Sequence, residues 1–481
     1  RTNNYFVDYS NEASGLTGEF YFGNGGRIFY KYLDTEFLDF EERNQWQIDL
    51  RRIENPTPNT GYAPDARGNR ALEYGKYNNT TEVHTIGTDF LAANWNVEIR
   101  VSDIELKSEL WLPLPYMSWS DGVTYDVSDP SDPFFTFDTP LAELQYDPIF
   151  AVFDFLNYWS RTNTENQQYK VDADTSNTLG EFKLGAKFDQ REALGGNGTN
   201  WGLLGQYGLS REAVKGYEQP DRLWFTDVRN PVGGFYTDNK GLFDALVAGG
   251  VVFPGLEDAD SDALVTVDEE IISLYAMQTI DTDFGNVILG LRYEDTDFRT
   301  VGWQLNSQGE EVPLTISKSY SNWLPSAHLN YDLNEDTKLR ASITTAVSRP
   351  GYNEARASAS ISPVNQSVSG GNPYLEPEES WGLDLAYEWY FGEASIFAVS
   401  AFYREVDNVI VAGSTTVDGS VYSPAAQPGE QWSLTGSANG SDGELKGIEL
   451  NFIDRLDNYV TGPLSGFGLE LNLAAIDSSF K

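Results

Sequence analysis

The feature that most narrows the choice of fold is a period-two alternation of bulky and polar side chains. It recurs in pairs: strand, short turn, strand, then a long irregular stretch. Side chains alternate across a β-strand, so each run has one apolar and one polar face. In 326–347, Ala327, Leu329, Tyr331 and Leu333 alternate with Ser326, His328, Asn330 and Asp332. After the turn, Leu339, Ala341, Ile343 and Val347 alternate with Lys338, Arg340, Ser342 and Thr344. In 381–391, Trp381, Leu383, Leu385, Tyr387, Trp389 and Phe391 alternate with Gly382, Asp384, Ala386, Glu388 and Tyr390. Further pairs fall at 16–33 and near 82–107, 166–189, 266–298 and 442–478, for roughly fourteen strands in all.

One strand does not say whether its bulky face meets a second sheet or lipid. The connections discriminate. Turns within a pair are short, whereas long loops are expected at about 34–81, 108–165, 190–265, 299–319, 349–378 and 412–441. Long structureless loops are unusual in compact domains, but a membrane barrel combines short turns at one end with long extracellular loops at the other. The polar face also argues against a dry sandwich core. Lys338, Arg340, Asp384, Glu388, Glu449 and Glu470 would each cost several kcal/mol there unless paired. Trp323, Trp381, Tyr387, Trp389 and Tyr403 near strand ends fit interfacial aromatic girdles. The expected fold is all-β, a large antiparallel transmembrane β-barrel.

Composition removes several function classes. A net charge of −41 opposes nucleic-acid binding. With no cysteine there is no disulfide framework, thiol nucleophile or Cys-based metal site. Only His84 and His328 are present, both on or beside strands, and His328 reads as a lumen-facing hydrogen-bonding group rather than a base. No enzyme activity and no cofactor are expected. Residues 258–269 resemble a calcium loop, with Asp258, Asp260, Asp262 and Glu269 at positions 1, 3, 5 and 12. Ala263 stands where that loop needs Gly and no helices flank it, so an acidic loop entering a strand is the better reading.

The candidate ligand-binding residues are loop aromatics. Trp111, Tyr116, Trp119, Tyr125, Tyr158 and Trp159 fall in one excursion, and Trp201, Tyr207, Trp224 and Tyr236 in the next. Rings beside Asp, Asn and Arg suit sugar recognition, and also a siderophore or peptide, while packing between loops is the plain alternative. Arg349, in "SRP", is a candidate vestibule residue.

Residues 322–355, "NWLPSAHLNYDLNEDTKLRASITTAVSRPGYNEA", followed by "GGNPYLEPEESWGLDLAYEWYF" and "SIFAVSAFYREVDNVI", resemble the barrel of TonB-dependent outer-membrane receptors. Stretches 270–298 and 443–452 continue the likeness, which covers about half the chain. The resemblance implies a 22-stranded barrel in the bacterial outer membrane, of which this chain would be a part. A signal peptide, TonB-contacting segment, plug domain and final strands are not visible, and open sheet edges would be costly in lipid, so the active form is expected to need them. By resemblance the function is TonB-dependent import of a scarce nutrient, with an oligosaccharide favoured and a ferric siderophore next. The implied partners are the TonB–ExbB–ExbD complex, outer-membrane lipid, the ligand and a surface lipoprotein. Two alternatives stay open: a non-transporting structural or adhesion barrel, and a soluble all-β carbohydrate-binding protein.

Overall fold

The computed structural model describes residues 2–54, 56–129, 133–144, 154–223 and 235–480. Fourteen strands form one antiparallel meander, each pairing with the next in sequence. They are β1 (Thr2–Phe22), β2 (Gly26–Asp49), β3 (Thr60–Ala92), β4 (Trp95–Asp126), β5 (Phe155–Asn177), β6 (Gly180–Gly202) and β7 (Val265–Thr282). The series continues with β8 (Gly285–Leu305), β9 (Glu311–Asn334), β10 (Thr337–Ser348), β11 (Glu378–Gly392), β12 (Ser395–Asp407), β13 (Gly443–Arg455) and β14 (Gly468–Phe480). A short strand, Phe134–Phe137, adds to β4. Among the described residues β1 and β14 lie at the sheet's two edges, each laddered on one side only.

The alternation determines which way each strand faces. Leu385, Trp389, Ile343, Leu289, Ile272 and Leu473 all stand exposed on one face of a single sheet, and among the described residues no second sheet is stacked on them. That excludes the soluble-sandwich reading and leaves a lipid-facing surface. The opposite face carries ion pairs: Arg340 to Glu388 at 2.9 Å, Arg404 to Asp384 at 2.7 Å and Lys187 to Asp189 at 2.8 Å.

Exposed and half-buried aromatics form two tiers on the apolar face. The first pairs Tyr293 with Trp323 (ring centroids 4.7 Å apart) and Trp381 with Tyr403 (5.4 Å). The second pairs Phe284 with Tyr331 (5.0 Å) and Phe391 with Trp389 and Phe452 (5.0 and 5.8 Å). Trp323 and Tyr331 on β9, like Trp381 and Trp389 on β11, are eight positions apart. At about 3.3 Å per residue that is roughly 26 Å along the strand, and roughly 20 Å of height for a tilted strand. It approaches the apolar band of a membrane barrel.

Strands continue well into stretches expected as loop. β3 and β4 run 33 and 32 residues, about three times what hydrocarbon requires. Residues 34–49, 60–81, 108–126, 155–165 and 190–202 are strand. Beyond the membrane the backbone still needs hydrogen-bond partners, and continuing the ladder supplies them. The alternation that marks a strand in lipid fades there because both faces meet water or packed loops.

The long connections fold into small cores of their own. Between β6 and β7, helix Asn239–Ala248 buries Leu242 and Leu246 against Leu72, Met117 and Phe155. Asp238 caps it by accepting from the Gly241 N–H at 2.9 Å. The β10–β11 and β12–β13 connections jointly build a four-stranded sheet, Ala359–Ser362, Ser367–Gly370, Gln431–Asn439 and Ile410–Asp418. Its core holds Val368, Tyr422, Trp432 and Leu434.

Candidate functional site: a strapped mouth on the inner wall

The long-connection end of the polar face holds a buried polar network outside the membrane band. The chain leaving β10 folds back over β6–β9 as a strap, 349–358. Arg349 Nη2 donates to Glu294 Oε2 at 2.6 Å and to Thr296 Oγ1 at 3.0 Å. Glu269, 3% exposed, accepts from Arg191 Nη1 at 3.3 Å and from the Tyr352 hydroxyl at 3.1 Å. Arg349 Nε lies 3.9 Å from the same carboxylate. Ala355 drops into an apolar socket of Ala193, Val265, Val267 and Phe298. The Ala357 N–H donates to Thr300 Oγ1 at 3.1 Å. Gly302 makes that approach feasible, because a Cβ there would stand 2.3 Å from the Ala357 carbonyl carbon.

Burial and the neighbouring Glu269 carboxylate push the Tyr352 hydroxyl well above the usual phenol range. Lys318, beyond the first aromatic tier, sits over the Phe298 ring at 4.9 Å and donates to the Leu375 carbonyl. Burial pulls its ammonium down to about 8, against the opposing pull of Glu269 and Glu376. The arrangement is that of a structural clasp: its carboxylates are taken up by guanidinium partners.

Arg349 is therefore on the inner wall, but engaged with the wall's own acids. The calcium-loop residues do not converge. Glu269 faces Arg191, Arg349 and Tyr352, Asp258 accepts from the Gly255 N–H at 3.2 Å, and the Asp262 carbonyl accepts from Arg356 at 3.2 Å. Among the described residues no group of three or more acids or histidines is placed to hold a metal ion. The segment instead makes two 3-10 turns and enters β7 at Val265.

The loop aromatics divide. Trp119, Tyr125 and Trp159 are 1%, 7% and 0% exposed and serve packing, with Trp119 edge-on to Trp46 at 5.3 Å. Trp111 lies between Phe243 and Phe253, and its Nε1 donates to Asn157 Oδ1 at 3.0 Å. Tyr158, on β5, is half-buried. Tyr116 is half-buried and meets Trp201 edge-on at 5.6 Å, and Trp201 is 48% exposed. Trp224 lies outside the described residues. The strap network itself escaped sequence reasoning. Residues 191, 269, 294 and 318 share no motif and are brought together by the sheet register, and the strap carries Tyr352 to them.

An apolar belt outside, ion pairs inside and structured loops at one end define the wall of a transmembrane β-barrel. The chain belongs to the TonB dependent receptor-like beta-barrel family, whose model matches residues 114–480. The family resides in the bacterial outer membrane, and its members are receptors and transporters. No curated protein matches the sequence. Among solved structures, the copper transporter OprC is similar at 13% identity over 99% of this chain and 61% of its own, with a TM-score of 0.38. The Pseudomonas aeruginosa ferric enterobactin receptor PfeA is 13% identical over 97% of this chain and 62% of its own, with a TM-score of 0.39. The Bordetella pertussis alcaligin receptor FauA is 10% identical over 98% and 61%, with a TM-score of 0.36. The chain thus spans about three fifths of each of these proteins.

Proposed function

We propose that this chain is the barrel portion of a receptor that imports a scarce nutrient across the outer membrane. The long-connection end faces outward, and the TonB–ExbB–ExbD complex supplies energy through parts of the protein outside this chain. The observation that carries the reading is the pairing of an exposed apolar belt between two aromatic tiers with an ion-paired inner face. Such a wall suits a water-filled passage through lipid.

An oligosaccharide is the favoured cargo. Trp201, half exposed beside Tyr116, offers a ring for the C–H face of a sugar. A net charge of −41 opposes the capture of anionic ferric chelates and is indifferent to neutral glycans. A surface lipoprotein at the loop crest completes the set of partners. The test is uptake of labelled oligosaccharides by cells with and without the gene, alongside growth under iron limitation. Loss of glycan uptake, reproduced by Trp201→Ala, supports the reading. A defect confined to iron-limited growth replaces the cargo, and no uptake defect of any kind removes the import function.

A further inference from the structure

One turn at the short-turn end breaks the pattern. The other six connections there are two or three residues long, but β13 and β14 are joined by 456–467. This segment makes two 3-10 turns, Leu456–Asn458 and Pro463–Gly466. It leaves Tyr459 63% exposed at the margin of the outward aromatic face. The turn lies just past the second aromatic tier, where the outward face passes from hydrocarbon to headgroups.

Beside this turn the outward face is recessed. Tyr387, Trp389, Phe391, Phe397 and Phe452 wall a pocket of about 420 Å³, which Asp454 and Tyr459 close at the turn end. Asp454 belongs to the outward row of β13, two positions beyond Phe452 and opposite Leu469. Its Oδ1 accepts from Ser395 Oγ and from the Arg455 N–H, both at 2.8 Å. The neighbouring Arg455 is turned to Asp457 instead. Among the described residues no lysine or arginine pairs with Asp454. Asp454 is half-buried beside the aromatic recess and its charge is met by hydroxyl and amide donors alone, which leaves its carboxylate open to a cation from a lipid headgroup.

We propose that this recess is a binding site for one phospholipid of the leaflet at the short-turn end, with an acyl chain against the aromatic wall and an ammonium headgroup paired with Asp454. The site is continuous with the lipid-facing belt, and its charge selects an amine-bearing headgroup over an anionic one. It depends on the outward face meeting lipid and is independent of the cargo.

The test uses the protein extracted from outer membranes and placed in nanodiscs of equal phosphatidylethanolamine and phosphatidylglycerol. Native mass spectrometry then counts the lipids retained. The expected result is one phosphatidylethanolamine held over phosphatidylglycerol by about tenfold, as a charge-assisted hydrogen bond predicts. Asp454→Asn keeps an acceptor for Ser395 and brings the two lipids to parity, whereas Trp389→Ala loses both. Equal retention of the two lipids by the unmodified protein, or no retained lipid, overturns the site. That comparison needs no variant, so a misfolded variant does not rescue the idea.

Discussion

Replacing Glu269 with Gln tests whether the strap is held by charge. Glu269 is 3% exposed and sits between Arg191 at 3.3 Å and Arg349 at 3.9 Å. Glutamine keeps the size and can still accept from Tyr352, so the change removes charge and little else. Deleting one member of a buried ion network costs about 3–5 kcal/mol, because its partners are left uncompensated. Arg349 keeps Glu294 at 2.6 Å, which places the estimate at the lower end, about 3 kcal/mol. Most of that cost falls on the strap, since the wall strands retain their ladders. A local opening eased by about 3 kcal/mol is roughly 150-fold more populated, at 1.4 kcal/mol per tenfold. Hydrogen exchange of the receptor in nanodiscs reads this directly: amides of 349–358 should lose about two orders of magnitude of protection while β7 and β8 keep theirs. The double variant Glu269→Gln with Arg191→Met should recover part of the loss, because the cation left with Asp189 at 3.9 Å as its nearest carboxylate is gone. Unchanged protection of 349–358 in the single variant would refute the electrostatic account and leave the Ala355 socket as the anchor.

Three further outcomes are expected. Leu385→Arg, midway between the aromatic tiers on the outward face, should destabilise folding into phospholipid vesicles by about 2–4 kcal/mol, whereas Ala398→Lys, on the inner face opposite Glu388, should be near neutral in the same urea titration. Lys318 is depressed in the fold from 10.5 to about 8, so the folded state binds fewer protons between these values and stability rises with pH across that window. The gain is about 3 kcal/mol at most, and thermal unfolding in detergent from pH 7 to 10.5 should show it flattened in Lys318→Met. Ala93 and Ala394 hold φ of 58° and 53° in two-residue turns, so Ala394→Gly should raise stability by about 1 kcal/mol in urea unfolding.

The barrel wall was legible because lipid imposes a strict rule on every second residue. Leu383, Leu385, Tyr387 and Trp389 could face hydrocarbon only if Asp384, Ala386 and Glu388 faced the other way. The register supports that division, pairing Leu385 with Ala341 and Glu388 with Lys338. Strand ends were not legible, since above the membrane both faces of β3 and β4 meet polar or packed surroundings and the period vanishes. The mouth was hardest. Trp119 and Trp159 read alike as ligand-facing rings, yet whether an indole packs or protrudes depends on neighbours such as Trp46 and Phe253, distant in sequence. Glu269 likewise gave a motif-like spacing with Asp258, and it is the guanidinium groups of Arg191 and Arg349, invisible from that spacing, that claim it.

The small four-stranded sheet has a mechanical corollary. Residues 367–370 run parallel to 433–436, stitching together two connections that leave the wall at different places. Neither can swing alone, and the first of them begins as the strap. A tilt of this little raft, however produced, pulls on Arg349 and Ala355 together, so the crest and the inner wall move as one lever.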